Sequence, residues 1–175
     1  VIKATKEIGL SESDIQIRVT PKLDGYAAYD DGSTLYTRGD GFRGQDITRA
    51  FDKGLKVALD GNRGLGPGEI VIKKSYFDDV LSGLFENSRN IQAAIIAEKK
   101  VDKNIQKAIE QGACVFYPFA LINNRTEHIT KILADFESIV EEVWNSVDFD
   151  IDGVIFEVTN ESIKEHMGAT RHHHR

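Results

Sequence analysis

Three apolar residues at alternate positions, Ile15, Ile17 and Val19, with Gln16 and Arg18 between them, fix the first element of this chain as a half-buried strand. The run continues through Thr20 and Pro21 into Lys22-Leu23-Asp24-Gly25, so Lys22 is delivered to the end of a strand, with Asp24 two residues on and on the same side. Gly25 supplies a position where the backbone approaches a ligand closely, or bends. Burial and neighbouring cations free a lysine amine for attack, which makes Lys22 a candidate nucleophile. Taken by itself the tetrapeptide reads more plainly as an edge lysine with a local carboxylate partner. The order of the stretches downstream of Gly25 separates the two.

With 175 residues, 41% of them apolar, the chain holds one sizeable core and at most a small appendage. Its net charge of −6 is unlike that of a stand-alone nucleic-acid binder, so contact with DNA is expected through a local patch or with help from other domains. No apolar run approaches a membrane span, and no signal-peptide pattern is present. Val1 is not a start methionine and the sole methionine is Met167, so residues are expected upstream. The single cysteine, Cys114, excludes an internal disulfide and a cysteine-based zinc site and fits a reducing cytosol. Its neighbours Ala113, Val115 and Phe116 make it a core residue of a buried strand.

Residues 1–14 are polar and weakly patterned, and Ser11 to Asp14 read as a linker. After Gly25, residues 26–29 read as a strand, Asp30-Asp31-Gly32 as a hairpin turn and residues 33–38 as its return strand. Residues 37–46 form a loop with three glycines and four charges, where main-chain N–H groups together with Arg38 and Arg43 suit an anion; a solvated hairpin exit is the plainer alternative. A helix is expected over 47–57, a glycine-rich turn over 60–68 without P-loop spacing, and a strand over 69–74 opening on Glu69. Ser75 is placed to cap a helix over 76–85, and residues 87–90 form a polar turn. Helices are expected over 91–99 and 101–111, the second closed by Gly112, then an apolar strand over 114–122. Residues 126–144 carry Ile129, Ile132, Leu133, Phe136, Ile139, Val140 and Val143 at helical spacing, read as one core-packed helix. A last strand covers 150–158 and a short helix 161–166. Hairpins with interspersed helices, in place of regular βαβ alternation, indicate an α+β fold with antiparallel sheets.

Taken together these stretches resemble the adenylation (nucleotidyltransferase) domain of NAD-dependent DNA ligases, over nearly all of residues 17–175. Lys22-Leu23-Asp24-Gly25 resembles the nucleotidyl-lysine motif, and residues 37–41 with 44–48 the loop that comes after it. Gly68-Glu69 resembles the next motif, residues 87–90 a DNA-contacting turn, and residues 149–154 and 167–170 the run into the last two motifs. The lysine motif is shared with ATP-dependent DNA ligases, RNA ligases and capping enzymes; the Thr37-to-Gly41 loop and the Asp150-to-Gly153 strand point to the NAD branch.

The resemblance implies an α+β nucleotidyltransferase (ATP-grasp-like) fold of antiparallel sheets flanked by helices. It assigns residues 1–14 to a linker and 15–175 to an adenylation domain that stops before its last motif. Lys22 is implied to take AMP from NAD and pass it to the 5′-phosphate of nicked double-stranded DNA, by steps in which positioning and cations dominate. It implies catalytic roles for Lys22, Asp24, Arg38, Glu69 and Asp152, and nucleotide contacts from Lys22, Leu23, Asp24, Gly25, Arg38 and Glu69. Magnesium falls to Asp150 and Asp152, and the DNA backbone to Asn87 and Arg89. Implied partners are other ligase domains or a second ligase subunit, in the cytoplasm of a bacterial or phage-infected cell, with no membrane.

Several positions depart from the family pattern. Thr20 stands where a glutamate reads adenine, Pro67 where an arginine precedes Gly-Glu, and Ile91 to Ala94 where small residues come after the Arg-Asn turn. Glu157 stands where a lysine is expected after the Asp-Gly strand. A unit charge at ~4 Å is worth about 4 kcal/mol at an effective dielectric of 20, so this reversal bears directly on rate. The family's second lysine lies beyond Arg175, and its nicotinamide-recognising domain is expected upstream. The alternatives are a nucleotide- or DNA-binding subunit with impaired catalysis, and an ATP-dependent nucleotidyltransferase. His172, His173 and His174 are read as a linker, not a metal site. Lys99, Lys100, Lys103 and Lys107 are read as a solvated helix face; Tyr26 and Tyr36 as hairpin packing or base-stacking residues.

Overall fold

The computed structural model describes residues 1–7, 9, 15–38, 43–97, 99–160, 163 and 165. In chain order its helices and strands are α1 (Ile2–Glu7), β1 (Gln16–Leu23), β2 (Tyr26–Asp30), β3 (Leu35–Arg38), β4 (Arg43–Asp46), α2 (Arg49–Asp52), β5 (Lys56–Val57) and β6 (Gly66–Ile72). Next come α3 (Lys74–Tyr76), α4 (Ser88–Ile96), α5 (Lys103–Glu110), β7 (Cys114–Pro118), β8 (Arg125–His128), α6 (Ile129–Ala134), α7 (Phe136–Trp144) and β9 (Ile151–Val158). The chain divides into two compact units, Val1–Lys22 with Asn123–Val147 and Gly153–Arg175, and Leu23–Ile122 with Asp148–Asp152.

The first unit is built on the sheet β8-β1-β9. β1 alternates as its sequence predicts: Ile17 and Val19 are buried, while Arg18, Thr20 and Lys22 lie on the other face. It pairs antiparallel with β8 from Gln16 to Val19 and leaves that partner before Pro21, which has no N–H to donate. Ile15, Ile17 and Val19 pack with Ile129, Ile132, Ile139, Val143 and Val158, and Ile2 of α1 rests on the same core. Part of the expected linker is therefore helix. The single helix expected over 126–144 is also broken. Thr126 is held in β8 by ladder bonds to β1, and Asp135, at φ −117° and ψ 25°, separates α6 from α7. Arg125 closes the unit by donating to Glu127 at 3.0 Å and Glu142 at 2.5 Å.

The second unit carries the sheet β4-β3-β2-β6-β7-β5, antiparallel throughout its described pairings except for β5 beside β7. One face, with Ala28, Leu35, Ile70, Ile72, Cys114 and Phe116, packs on Ala50, Leu81, Ile91, Ile95, Ile105 and Ile109. Cys114 is core, and burial pushes its thiol up to about 12. The helix expected over 47–57 shrinks to α2, because Val57 pairs with Phe116. Residues 76–85 hold a π-helical turn, Phe77–Leu81, and Ser75 binds the Asp148 carboxylate instead of capping. The strand expected over 114–122 ends at Pro118. α5 closes as anticipated, with Gly112 N–H donating to Ile109 O and Ala113 N–H to Ala108 O. Lys99, Lys100, Lys103 and Lys107 are solvent-exposed. The linker at 11–14, the loop tip at 39–42, residues 167–170 and the histidines at 172–174 lie outside the described residues, as does most of the helix expected over 161–166.

Two glycines set the approach of neighbouring strands. A Cβ on Gly25 would stand 2.3 Å from Ile70 O, and one on Gly68 would stand 2.4 Å from Tyr117 O. At the far end of β2, Asp30 is 1% exposed and accepts from Arg63 Nε and Nη2 at 2.8 and 3.0 Å and from Gly32 and Gly64 N–H. Burial raises the Asp30 carboxyl, but these donors together hold it below its ordinary value.

Two outcomes are expected for stability. Gly25→Ala should cost about 1–3 kcal/mol, the usual penalty of overpacking, read from urea unfolding. Because its folded-state pKa is depressed, Asp30 contributes stability above its unfolded value of about 3.9 and loses it as pH falls through the lower folded value. Asp30→Asn should therefore lower stability at pH 7 and flatten the acid limb of the stability–pH curve below about pH 4.

Candidate functional site

Strand register brings two of the sequence candidates onto one face of the six-stranded sheet. Ala27 pairs with Glu69, and Glu69 pairs with Tyr117. On β3, Arg38 has the parity of Tyr36, which pairs with Tyr29, so it falls on the same sheet face as Ala27 and Tyr29. Arg38, Ala27, Glu69 and Tyr117 thus form a row on the face opposite the helices. Arg38 and Glu69 lie on strands two apart in the sheet, with β2 and its Ala27 between them. Arg38 is exposed, Glu69 and Ala27 are half-buried, and Tyr117 is buried with its phenol pushed up by burial. Tyr117 is fixed edge-on by Phe149, ring centroids 5.7 Å apart. Such a row offers a cation, a carboxylate and an aromatic wall around a small floor residue, which suits a phosphorylated, hydroxyl-bearing ligand.

A second group lies where β1 gives way to β2. The strand ends at Leu23, so strand geometry does not hold Asp24. Its N–H donates to Asp150 O at 2.8 Å, and its carboxylate accepts from Arg89 Nη2 at 2.9 Å. Ser88 Oγ reaches Asp150 Oδ2 at 3.3 Å. The segment 148–152 is held against this unit by Lys74 N–H on Asp148 O and by the Lys73–Phe149 bridge. Asp24, Arg89 and Asp150, from three distant stretches, therefore meet. Asn87, the other residue assigned to DNA, is the N-cap of α4 and accepts from Asn90 N–H at 3.1 Å. The polar turn expected over 87–90 is thus the start of a helix. Asp152 is exposed in β9.

Lys22 belongs to the first unit, exposed on β1 on the same strand face as Thr20 and Arg18. The burial expected of Lys22 from the sequence is therefore not found. Glu157, at the position of the expected lysine, lies 3.8 Å from Arg18 Nη1, with both side chains exposed. Arg18 sits four residues before Lys22, about 13 Å along the strand.

Sequence reasoning missed Ala27, Tyr117 and Ser88. Ala27 and Tyr117 become site residues only through cross-strand pairing, and no local signal marks them. Ser88 sits next to an Asn87 that reads as an N-cap ahead of the apolar Ile91, and that signal was available. Among the described residues no three or more histidine, cysteine, aspartate or glutamate side chains cluster to hold a metal, and no helix is long and apolar enough to cross a membrane.

No family model matches the chain. Its curated relatives include proteins named DNA ligase. That of Psychromonas ingrahamii is 75% identical over all 175 residues, that of Shewanella baltica 59% over all 175, and that of Desulfotalea psychrophila 51% over 173. The chain spans 27%, 27% and 26% of the length of these three.

The Asp24–Arg89 pair tests how firmly the second group is built. Arg89 is 71% exposed, so a double-mutant cycle with Asp24→Asn and Arg89→Ala should give a coupling of about 1 kcal/mol or less. A much larger coupling would mean that the pair holds the fold in place of lying open to a ligand.

Proposed function

We propose that this chain is the adenylation segment of an NAD-dependent DNA ligase, with the nucleotidyltransferase fold. The strongest support is the match along its whole length to proteins named DNA ligase, 75% identical in one case. The row of Arg38, Ala27, Glu69 and Tyr117 adds chemical support, since its charges suit the phosphate and ribose of an adenine nucleotide.

In this proposal the deprotonated amine of Lys22 attacks the α-phosphorus of NAD. A P–N bond forms, the bond to the phosphate oxygen of nicotinamide mononucleotide breaks, and that mononucleotide departs. AMP then passes to the 5′-phosphate of nicked double-stranded DNA, and the 3′-hydroxyl displaces it. Charge builds on phosphoryl oxygens at each step, so Arg38 serves as a cation for them, while Glu69 and Asp24 accept from ribose hydroxyls. Leu23 and Gly25 hold the backbone on either side of Asp24. Magnesium, when bound, neutralises phosphoryl charge. Asp150 and Asp152 suit it, because magnesium takes only one or two protein carboxylates and fills its shell with water and phosphate. Asn87 and Arg89 at the start of α4 are proposed to face the DNA backbone. The remaining length of the relatives leaves room for the further domains, or second subunit, that nick sealing requires.

A second reading is favoured by Glu157: a segment that binds nucleotide without adenylating. Intact-protein mass measurement separates the two. The full-length protein carrying this chain, given NAD and magnesium, is expected to gain one AMP, and Lys22→Ala should abolish the gain. Glu69→Gln removes a charge-assisted hydrogen bond of about 1.5–3 kcal/mol and should slow adenylation roughly 10- to 100-fold. An adduct that survives Lys22→Ala contradicts the assignment, as does faster adduct formation from ATP than from NAD.

A further inference from the structure

The apolar residues of 129–144 divide by helix face into a buried set and an exposed set, each with members on both α6 and α7. Ile129, Ile132, Ile139 and Val143 are buried in the first unit's core. Leu133, Phe136 and Trp144 are 64%, 49% and 45% exposed, and Val140 is partly so. Phe136, Val140 and Trp144 recur every four residues on α7 and form a continuous ridge about 12 Å long. Phe136 is held in place by stacking on Phe156, centroids 5.3 Å apart. The ridge lines a groove of about 330 Å³ together with Glu137, Glu141 and Asn145. A neighbouring hollow of about 450 Å³ extends it past Leu133 and Asp135.

The rim decides what fits. At 100° per residue, Glu137 and Glu141 lie directly on the solvent side of the ridge. Asp135, Glu137 and Glu141 are exposed and have no ion-pair partner among the described residues. An apolar ridge flanked by such carboxylates repels a DNA backbone, and a second copy docked ridge to ridge would bring like charges together. We propose that this face docks an amphipathic helix of another protein, one with an apolar stripe bordered by lysine or arginine. Its stripe fills the groove, and its basic flanks meet Glu137 and Glu141. The surface shares no residue with Lys22 or with the Arg38–Glu69 row, and stands whether or not the adenylation proposal does.

Two synthetic helical peptides sharing a leucine stripe, one flanked by lysines and one by glutamates, test this by calorimetry on the full chain. The lysine-flanked peptide should bind about tenfold more tightly or better. Glu137→Lys with Glu141→Lys should reverse that order, and Trp144→Ser should weaken the lysine-flanked peptide about tenfold. Glu137 and Glu141 are exposed, so their charge reversal should leave the melting temperature in place, while Trp144, 45% exposed, can lower it when replaced by serine; the two-peptide comparison on the unaltered chain decides even if a variant fails to fold. Equal binding of the two peptides would overturn the proposal. So would an order unchanged in the charge-reversed variant, or sedimentation showing that the chain self-associates and that Trp144→Ser makes it monomeric.

Discussion

The register of β2 against β6 is the constraint on which the second unit depends. Side chains alternate across a strand, so a slip of one residue would carry Glu69 into the apolar core and Ile70 out of it. The slip is resisted by core packing and by close backbone approach. Ala28, Ile70 and Phe116 are wholly buried on one side, and Gly25 and Gly68 permit strand approaches that any side chain would block. Holding this register sets Arg38, Ala27, Glu69 and Tyr117 in line. The polar row is thus a by-product of the same alternation that builds the core.

The first unit shows the same logic with a different remainder. β1 buries Ile15, Ile17 and Val19 and turns Arg18, Thr20 and Lys22 the other way, so the candidate nucleophile is set by strand parity alone. Its helices have more apolar surface than the sheet can cover. That surplus is the ridge from Leu133 to Trp144, and the acidic residues beside it give the surface a sign as well as a shape.

Legibility in the sequence tracked the range of the interactions. The Asp30-Asp31-Gly32 hairpin and the Gly112 helix end were readable because a few adjacent residues determine them. The strand at the start of the helix expected over 126–144 was not, because pairing of Thr126 with Arg18 across more than a hundred residues overrides a local period. Lys22, Asp24, Arg38 and Glu69 were singled out by order along the chain and by family resemblance. Their surroundings came from pairing: Arg89 on Asp24, Ser88 on Asp150, Ala27 beside Glu69. Glu157 illustrates the limit in the other direction. Its identity was plain, but its partner, Arg18, became visible only when β9 was set beside β1.

The central claim is that the polar row of the larger sheet receives an adenine nucleotide. Titrating the isotopically labelled chain with AMP and tracking its amide resonances tests this most directly. The account predicts shifts concentrated at Ala27, Arg38, Glu69 and Tyr117, diminished in Glu69→Gln. Shifts absent from that row at millimolar AMP, or confined to α4 and α5 on the opposite face, would contradict it.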